Sequence, residues 1–499
     1  MQVEPSPNSP VNTAGNEHMD ASRLEDPNTM TERPNILLIT ADDMNWDAVG
    51  AFGCRVAGTT PNIDRLAADG MAFDEANVTI SVCQPSRSSL LTGRYPHRSG
   101  GEGFYHLRKP NVPILPEVLG RNGYRTGILG KVEHSSPYAE YRWDLCHDIG
   151  ALGHGRNPQL YGQYTQEFIK AATESQQPFF LMLNSHDPHR PFYGNDDPRM
   201  YVEGDKPAAA IPSRVFTAEE IITPGFLEDL PEVRREVAEY YSSVRRCDDT
   251  VGAVLRVLEE SGMAENTIVV FLSDNGMSFP FAKTNCYLNS TKTPWIVRWP
   301  GKIQPGTREG THFISGIDLM PTLLDAVGID GPANMDGESF LPLLQGEAQS
   351  GRDLLFTQFH QTFVRRNYPI RCVQNQRYGY IFNPWSDGER KFKNESQSGR
   401  TMKAMREAAK QDAQIAERVQ LFVYRVPEEF YDLENDPDCR NNLIDEPELQ
   451  SEIDSLRVQL EQWMVETEDP ALEAFRHRHS PQALQQFMDD LAVALPSKH

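Results

Sequence analysis

Basic residues are scarce in this chain. Of its 499 residues 48 are Lys or Arg against 71 Asp or Glu, a formal net charge of −23 at pH 7. A general nucleic-acid binder carries a basic face, so the balance argues against that class. Any anionic substrate must then be drawn in by a local cluster of cations rather than by the global field. Cysteine is scarce too. The seven, at 54, 83, 146, 247, 286, 372 and 439, are odd in number and include no C-x-x-C pair. That pattern argues against a disulfide framework and a zinc site, and fits mostly reduced thiols. No apolar run is long enough to span a bilayer, and no membrane partner is expected. Residues 1–33 are rich in Pro, Asn, Ser, Asp and Glu and contain no apolar h-region. They read as a disordered leader rather than a signal peptide, and a cytoplasmic location is the expectation that follows.

The rest of the chain alternates. Asn35–Thr40 is a continuous apolar run rich in β-branched residues that ends at Asp42-Asp43, the pattern of a buried central strand. Further strands are predicted at Arg125–Leu129, Phe179–Leu183, Thr267–Leu272 and Trp295–Trp299. Helical patterns lie at Asn62–Asp69, Leu115–Asn122, Val233–Ser261 and Ile317–Val327. This order predicts an α/β fold with a mainly parallel sheet covered on both faces. Ligands of such sheets bind beyond the carboxyl ends of the strands. Asp42-Asp43, His186 and Asp274-Asn275 each follow a predicted strand, so three strands deliver polar residues to one edge. After about Gly351 the texture changes. Arg371–Phe382 and Phe430–Leu433 read as short antiparallel strands, Glu448–Val465 as an amphipathic helix, and Lys391–Glu417 as a charged, partly helical insertion. The expected division is a leader at 1–33, a catalytic domain at 34–350, an α+β subdomain at 351–480 and a tail at 481–499.

The chemistry concentrates in Cys83-Gln84-Pro85-Ser86-Arg87-Ser88-Ser89-Leu90-Leu91-Thr92-Gly93. Pro85 suits the first turn of a helix, where its missing N–H costs nothing. Cys83 then sits at a helix N-terminus, where backbone N–H groups favour anions, and Arg87 lies one turn on. A lone cysteine at a helix start is ordinarily a packing residue; the surrounding run sets this one apart. Asp42, Asp43, Asp274 and Asn275 offer only oxygen ligands, which favours a hard divalent cation, calcium or magnesium, over zinc. A single Asp at a strand end is ordinarily a cap or turn residue, but two such pairs beside the cysteine run point to a metal.

The cysteine run resembles the sulfatase signature C-x-P-S-R-x-x-x-x-T-G, and Ser273-Asp274-Asn275-Gly276 resembles that family's S-D-[NH]-G element. Gly130-Lys131-Val132-Glu133-His134, Asn184–Pro191 and Lys283 stand where the family carries further active-site groups. The resemblance covers about Pro34 to Pro470. It implies the alkaline-phosphatase-like fold, a large mostly parallel sheet sandwiched by helices, with a small α+β C-terminal domain carrying an antiparallel sheet. It implies conversion of Cys83 to formylglycine by a formylglycine-generating or anaerobic sulfatase-maturating enzyme, and sulfate release through a covalent sulfated intermediate. By the same resemblance Asp42, Asp43, Asp274, Asn275 and the modified Cys83 hold the metal. Arg87 and Lys131 steady the hydrated aldehyde and His134 is the base. His186 and Lys283 bind sulfate, and one of them protonates the leaving group.

Within the family, His186–Arg190, Phe279–Asn285 and Tyr368–Arg371 most resemble the sulfamidase branch, which implies an N-sulfoglucosamine-type sulfated carbohydrate as substrate. Asp187, His189, Arg190 and Arg371 are then candidates to hold the sugar. Lys283, where that branch is expected to carry arginine, and the longer spacing of G-K-V-E-H depart from its pattern. The alternatives are an O-sulfatase on another sulfated glycan or aryl sulfate, and a phosphonate or phosphodiester hydrolase of the same superfamily. A non-catalytic glycan binder is a further reading, against which the full set of site residues argues.

Overall fold

In the computed structural model of the protein, residues 33–109, 111–195 and 208–495 are described. The expected leader lies outside them apart from Arg33, as do the last four residues of the expected tail. The centre is an eight-stranded sheet. From one edge it runs Leu145–His147, Arg125–Leu129, Phe179–Pro188, Asn35–Asp42 and Thr267–Ser273, all parallel. Trp295–Arg298 follows antiparallel, then Met71–Phe73 and Thr307–Glu309. The mainly parallel sheet expected from the sequence is therefore present, with one reversed strand where Trp295–Trp299 was predicted.

Alternation along the first strand explains both covering layers. Leu37, Ile39 and Ala41 join one core cluster and Ile36 and Leu38 the other, so successive side chains enter opposite faces. Helices Pro61–Ala68, Pro158–Glu174 and Pro231–Glu260 pack on the first face. Cys83–Thr92, Leu115–Arg121 and Leu319–Ala326 pack on the second. A four-stranded antiparallel sheet of Leu355–Gln361, Asn367–Gln374, Tyr378–Phe382 and Glu428–Asp432 carries its own core beneath helix Gln450–Glu466. The large, mostly parallel sheet between helices and the separate antiparallel sheet are the layers that the resemblance implies.

The segment expected as a tail is ordered helix over Pro481–Ala494, with Met488 and Leu491 buried. The charged stretch 391–417 forms a 3-10 turn at Glu395–Ser398 and helix Arg400–Ala408, and leads into helix Ala413–Tyr424. No helix among the described residues is long and apolar enough to cross a membrane. All seven cysteines are free thiols.

Candidate active site

Four neighbouring parallel strands end at the same edge, and each hands a polar residue to it. Asn35–Asp42 delivers Asp42 and Asp43, Thr267–Ser273 delivers Asp274 and Asn275, and Arg125–Leu129 runs through Gly130 into Lys131. The fourth, Phe179–Pro188, loses register with its neighbour. Thr40 faces Asn184 but Asp42 faces Pro188, so extra residues bulge out of the ladder just where His186 and Asp187 stand. Backbone strain gathers here, as it does at functional sites. Asp43 and Lys131 sit at φ 68° and 49°. Gly130, at φ 74°, has no room for a side chain, because a Cβ there would lie 2.3 Å from Asn184 O. Cys83 opens helix Cys83–Thr92, which is buried throughout and closed by Gly93 at φ 64°.

These pieces converge. Cys83 Sγ lies 3.4 Å from Asp42 Oδ1 and 4.0 Å from Asp43 Oδ1. Lys131 Nζ pairs with Asp42 Oδ2, and Lys283 Nζ lies 2.8 Å from Asp43 and 2.6 Å from Glu395. Arg87 Nη1 donates to Thr40 Oγ1 at 2.8 Å and Asn184 Oδ1 at 2.6 Å, while its Nε donates to Asp274 Oδ2 at 2.9 Å. Asn275 Nδ2 donates to Asp43 Oδ1 at 2.7 Å. A cavity of about 230 Å³ opens over the cluster, with Cys83, Lys131, His134, His189, Lys283 and Glu395 in its wall.

Burial and crowding decide the protonation states. Burial first, then Asp42 and Glu395, push Asp43 up to about 7 against the pull of Lys283. Burial and the two neighbouring Asp carboxylates push Asp274 up to about 6, opposed by Arg87. Burial would raise Asp42 too, but Lys131, His189 and Arg87 together hold it well below the usual range. The Cys83 thiol is pushed well up by burial, then by Asp42 and Asp274, so the unmodified group is a poor source of thiolate. Burial and Lys131 bring His134 down to about 3, and burial and Lys283 bring His189 down to about 4.

The donor set fits a divalent cation. Asp42, Asp43, Cys83 and His189 each bring one ligating atom within 4.8 Å of the others. Asn275 Oδ1 is buried without a hydrogen-bond partner although its Nδ2 is used. A cation held there would satisfy that oxygen and relieve the repulsion that raises Asp43 and Asp274. The oxygen-rich composition suits a hard ion.

Several expected residues stand elsewhere. Asp187 is fully buried between Arg156 and Arg246, with contacts of 3.1 and 2.6 Å. It is an internal counter-ion and not a sugar ligand. Arg371 pairs with Asp469 at 2.5 Å beneath the C-terminal sheet, where it is 1% exposed, and does not reach the cavity. Arg190 is held by Glu236 at 2.5 Å and by Ser278 O, and stacks over Phe192 and Phe279, so it braces the wall from behind. His186 accepts the Lys131 N–H at Nε2, 3.2 Å, and orders that backbone. Of these two rings it is His189 that lines the cavity, beside His134, with Nε2 3.8 Å from Asp43 Oδ2. The bulge thus leaves His186, expected to bind sulfate, behind the cavity wall, and brings His189, expected to hold the sugar, into it.

Glu395 and Asn394 enter the cavity wall from the charged stretch 391–417, where the sequence pattern suggests an insertion. Phe104 and Phe363 complete the wall, their rings edge to face at 5.1 Å. No motif distinguishes Glu395 from the many other charged residues around it.

A parallel sheet that gathers acidic residues, fixed cations and a helix-borne cysteine at one edge defines a hydrolase of anionic esters with a place for a divalent cation. The sulfatase family model matches residues 34–329, more than half of the chain, and the chain belongs to the sulfatase family of sulfuric ester hydrolases. A second match, described as N-sulphoglucosamine sulphohydrolase, C-terminal, covers residues 277–389. The human N-sulphoglucosamine sulphohydrolase is 31% identical over 463 residues, spanning 87% of this chain and 91% of that protein. Among solved structures, one in complex with its substrate D-glucosamine-2-N,6-O-disulfate superposes with a TM-score of 0.63 at 19% identity, over 88% of this chain and 98% of that one. The phosphonate monoester hydrolase of Agrobacterium radiobacter gives 0.61 at 19% identity, over 87% and 96%. At such identities these two likenesses concern the fold.

Proposed function

We propose that the protein releases sulfate from an N-sulfated glucosamine unit of a sulfated carbohydrate. The observation that carries this reading is the joint match to the sulfatase family and to the C-terminal module of N-sulphoglucosamine sulphohydrolases, together with the 31% identity to the human enzyme of that name.

The side chains have distinct tasks in this reading. Lys131, paired with Asp42, and Lys283, paired with Asp43 and Glu395, line the cavity and balance the charge of an incoming sulfuryl group. Burial lowers Lys283, but Asp43, Cys83 and Glu395 more than reverse this and keep it protonated, able to donate to the departing nitrogen or oxygen. His134 Nδ1 is buried without a partner, and burial with Lys131 nearby keeps the ring neutral, the state from which a base must start. Arg87 ties Asp274 to Thr40 and Asn184 and so fixes the strand ends that carry the carboxylates.

Two groups complete the site. Maturation of Cys83 to formylglycine by a dedicated enzyme supplies a hydrated aldehyde as nucleophile. Asp42, Asp43, Asp274, Asn275 and the modified Cys83 would hold calcium, with magnesium as second choice, to polarise the sulfuryl oxygens. The test is sulfate release by matured protein from N-sulfoglucosamine, glucosamine 6-sulfate and a sulfated galactose, with an aryl phosphonate monoester as control. Preference for the N-sulfated sugar supports the reading. Release from an O-sulfated sugar with none from N-sulfoglucosamine overturns the substrate and leaves the family assignment standing.

A further inference from the structure

Glu395 is an odd presence in a cavity meant for an anion. It enters from the 3-10 turn Glu395–Ser398 that follows the C-terminal sheet's third strand, not from the central sheet edge. Its Oε1 accepts from Ser278 Oγ at 2.7 Å and pairs with Lys283 Nζ at 2.6 Å. Its Oε2 has His189 Nε2 at 4.0 Å, beyond hydrogen-bond reach, and the side chain is 35% exposed. Burial opposes its charge, but Lys283 and then His189 outweigh burial and hold the carboxyl below the ordinary range. Oε1 is thus occupied, while Oε2 keeps acceptor capacity in a side chain that lines the cavity. Such an oxygen attracts a hydroxyl or amine and repels a second anion.

We propose that Glu395 is a specificity-determining residue that accepts a hydrogen bond from a hydroxyl or amine of the sugar beside the scissile sulfate, and that it disfavours substrates carrying a second anionic group there. The inference rests on the carbohydrate-sulfate reading above. The cavity suits a sugar in another respect. Phe104 and Phe363 give part of its wall an apolar surface, and Phe363 is 68% exposed. A pyranose presents both C–H faces and O–H edges, which matches an aromatic surface and a carboxylate in one pocket.

The isosteric, neutral Glu395→Gln separates this role from mere support of Lys283. Lost support lowers kcat on every sulfated substrate alike, whereas a lost substrate contact changes the ratios between them. The first measurement is kcat/KM of matured wild type and variant on a monosulfated glucosamine, on glucosamine N,6-disulfate and on 4-nitrophenyl sulfate, which lacks sugar hydroxyls. A hydrogen bond to a charged group corresponds to roughly tenfold or more in selectivity. The variant is expected to lose at least about tenfold in preference for the monosulfated sugar over the aryl sulfate, and to gain on the disulfate relative to the monosulfate. Ratios within about twofold of wild type overturn the proposal. The second measurement, calorimetric binding of free glucosamine, is independent of turnover and maturation. Weaker binding by the variant, by about tenfold, supports the proposal. Equal binding, or no binding by wild type, overturns it. Wild type that binds glucosamine but releases no sulfate from any sugar contradicts the functional reading and leaves the contact in place.

Discussion

Arg87 Nε donates to Asp274 Oδ2 at 2.9 Å and Nη2 lies 2.7 Å from the same oxygen, with neither side chain exposed to solvent. The pair joins helix Cys83–Thr92 to the end of strand Thr267–Ser273, and so links the nucleophile's helix to the cation-binding edge. Removing one partner of such a pair strands the other charge in the interior, at a cost of about 3–5 kcal/mol. Arg87→Ala is therefore expected to lower stability by that order as well as abolish activity, and urea denaturation measures it. A variant that loses activity with unchanged stability contradicts the structural half of this role.

The acidic edge gives a second prediction. A cation bound only by the folded protein stabilises it, by about 2.7 kcal/mol when free metal is a hundredfold above Kd. Exhaustive chelation is expected to lower both melting temperature and activity, and calcium to restore them. Asn275→Ala removes the unpartnered Oδ1 and is expected to weaken calcium affinity, read by titration calorimetry. If chelation leaves melting and activity unchanged, the cation assignment is wrong.

Gly155 offers a test of the histidine assignments. A Cβ at this position would lie 2.2 Å from His186 Cδ2, and the residue sits at φ 71°. Gly155→Ala should displace the His186 ring, break its contact with the Lys131 N–H and cut kcat at least about tenfold, since small misplacements near reacting groups are costly. Full activity in this variant would mean that His186 does not hold Lys131 in place.

The pair Arg371–Asp469 predicts an acid limit to stability. Burial raises the Asp469 carboxyl, but Arg371 and then His97 bring its folded pKa below the ordinary value. Because the unfolded chain binds this proton more tightly, the stabilisation is fully present above the unfolded pKa of about 3.9 and is lost as pH falls through the folded value. Asp469→Asn should be less stable at neutral pH and show a shallower decline below about pH 4. Urea midpoints across pH 3–7 give the comparison; parallel curves for the two proteins would contradict it.

The sheet and its edge were legible because they rest on local signals. Apolar runs with β-branched residues mark Asn35–Asp42 and Thr267–Ser273, and the carboxylates follow directly in sequence. The helix start at Cys83 is encoded by Pro85 and the closing Thr92-Gly93 in the same way. What escaped depends on distant partners. Asp187 looks like a ligand in its motif, yet Arg156 and Arg246 lie 31 and 59 residues away and neutralise it within the core. Arg371 is similarly spent on Asp469, 98 residues on. That His189 lines the cavity while His186 does not follows from a bulge that no residue pattern announces. Glu395 reaches the cavity from a turn after the C-terminal sheet's third strand, a tertiary placement that no local pattern encodes.

The most direct test is the mass of the peptide containing Cys83, taken together with sulfate release from the same preparations. Exchange of the thiol sulfur for oxygen with loss of two hydrogens lowers that mass by about 18 units. Protein coexpressed with a maturing enzyme is expected to show this loss, and sulfate release should rise in proportion to the converted fraction. Cys83→Ala should fold normally and retain less than about a thousandth of the activity. Turnover that is equal in converted and unconverted protein, or that survives Cys83→Ala, would contradict the account.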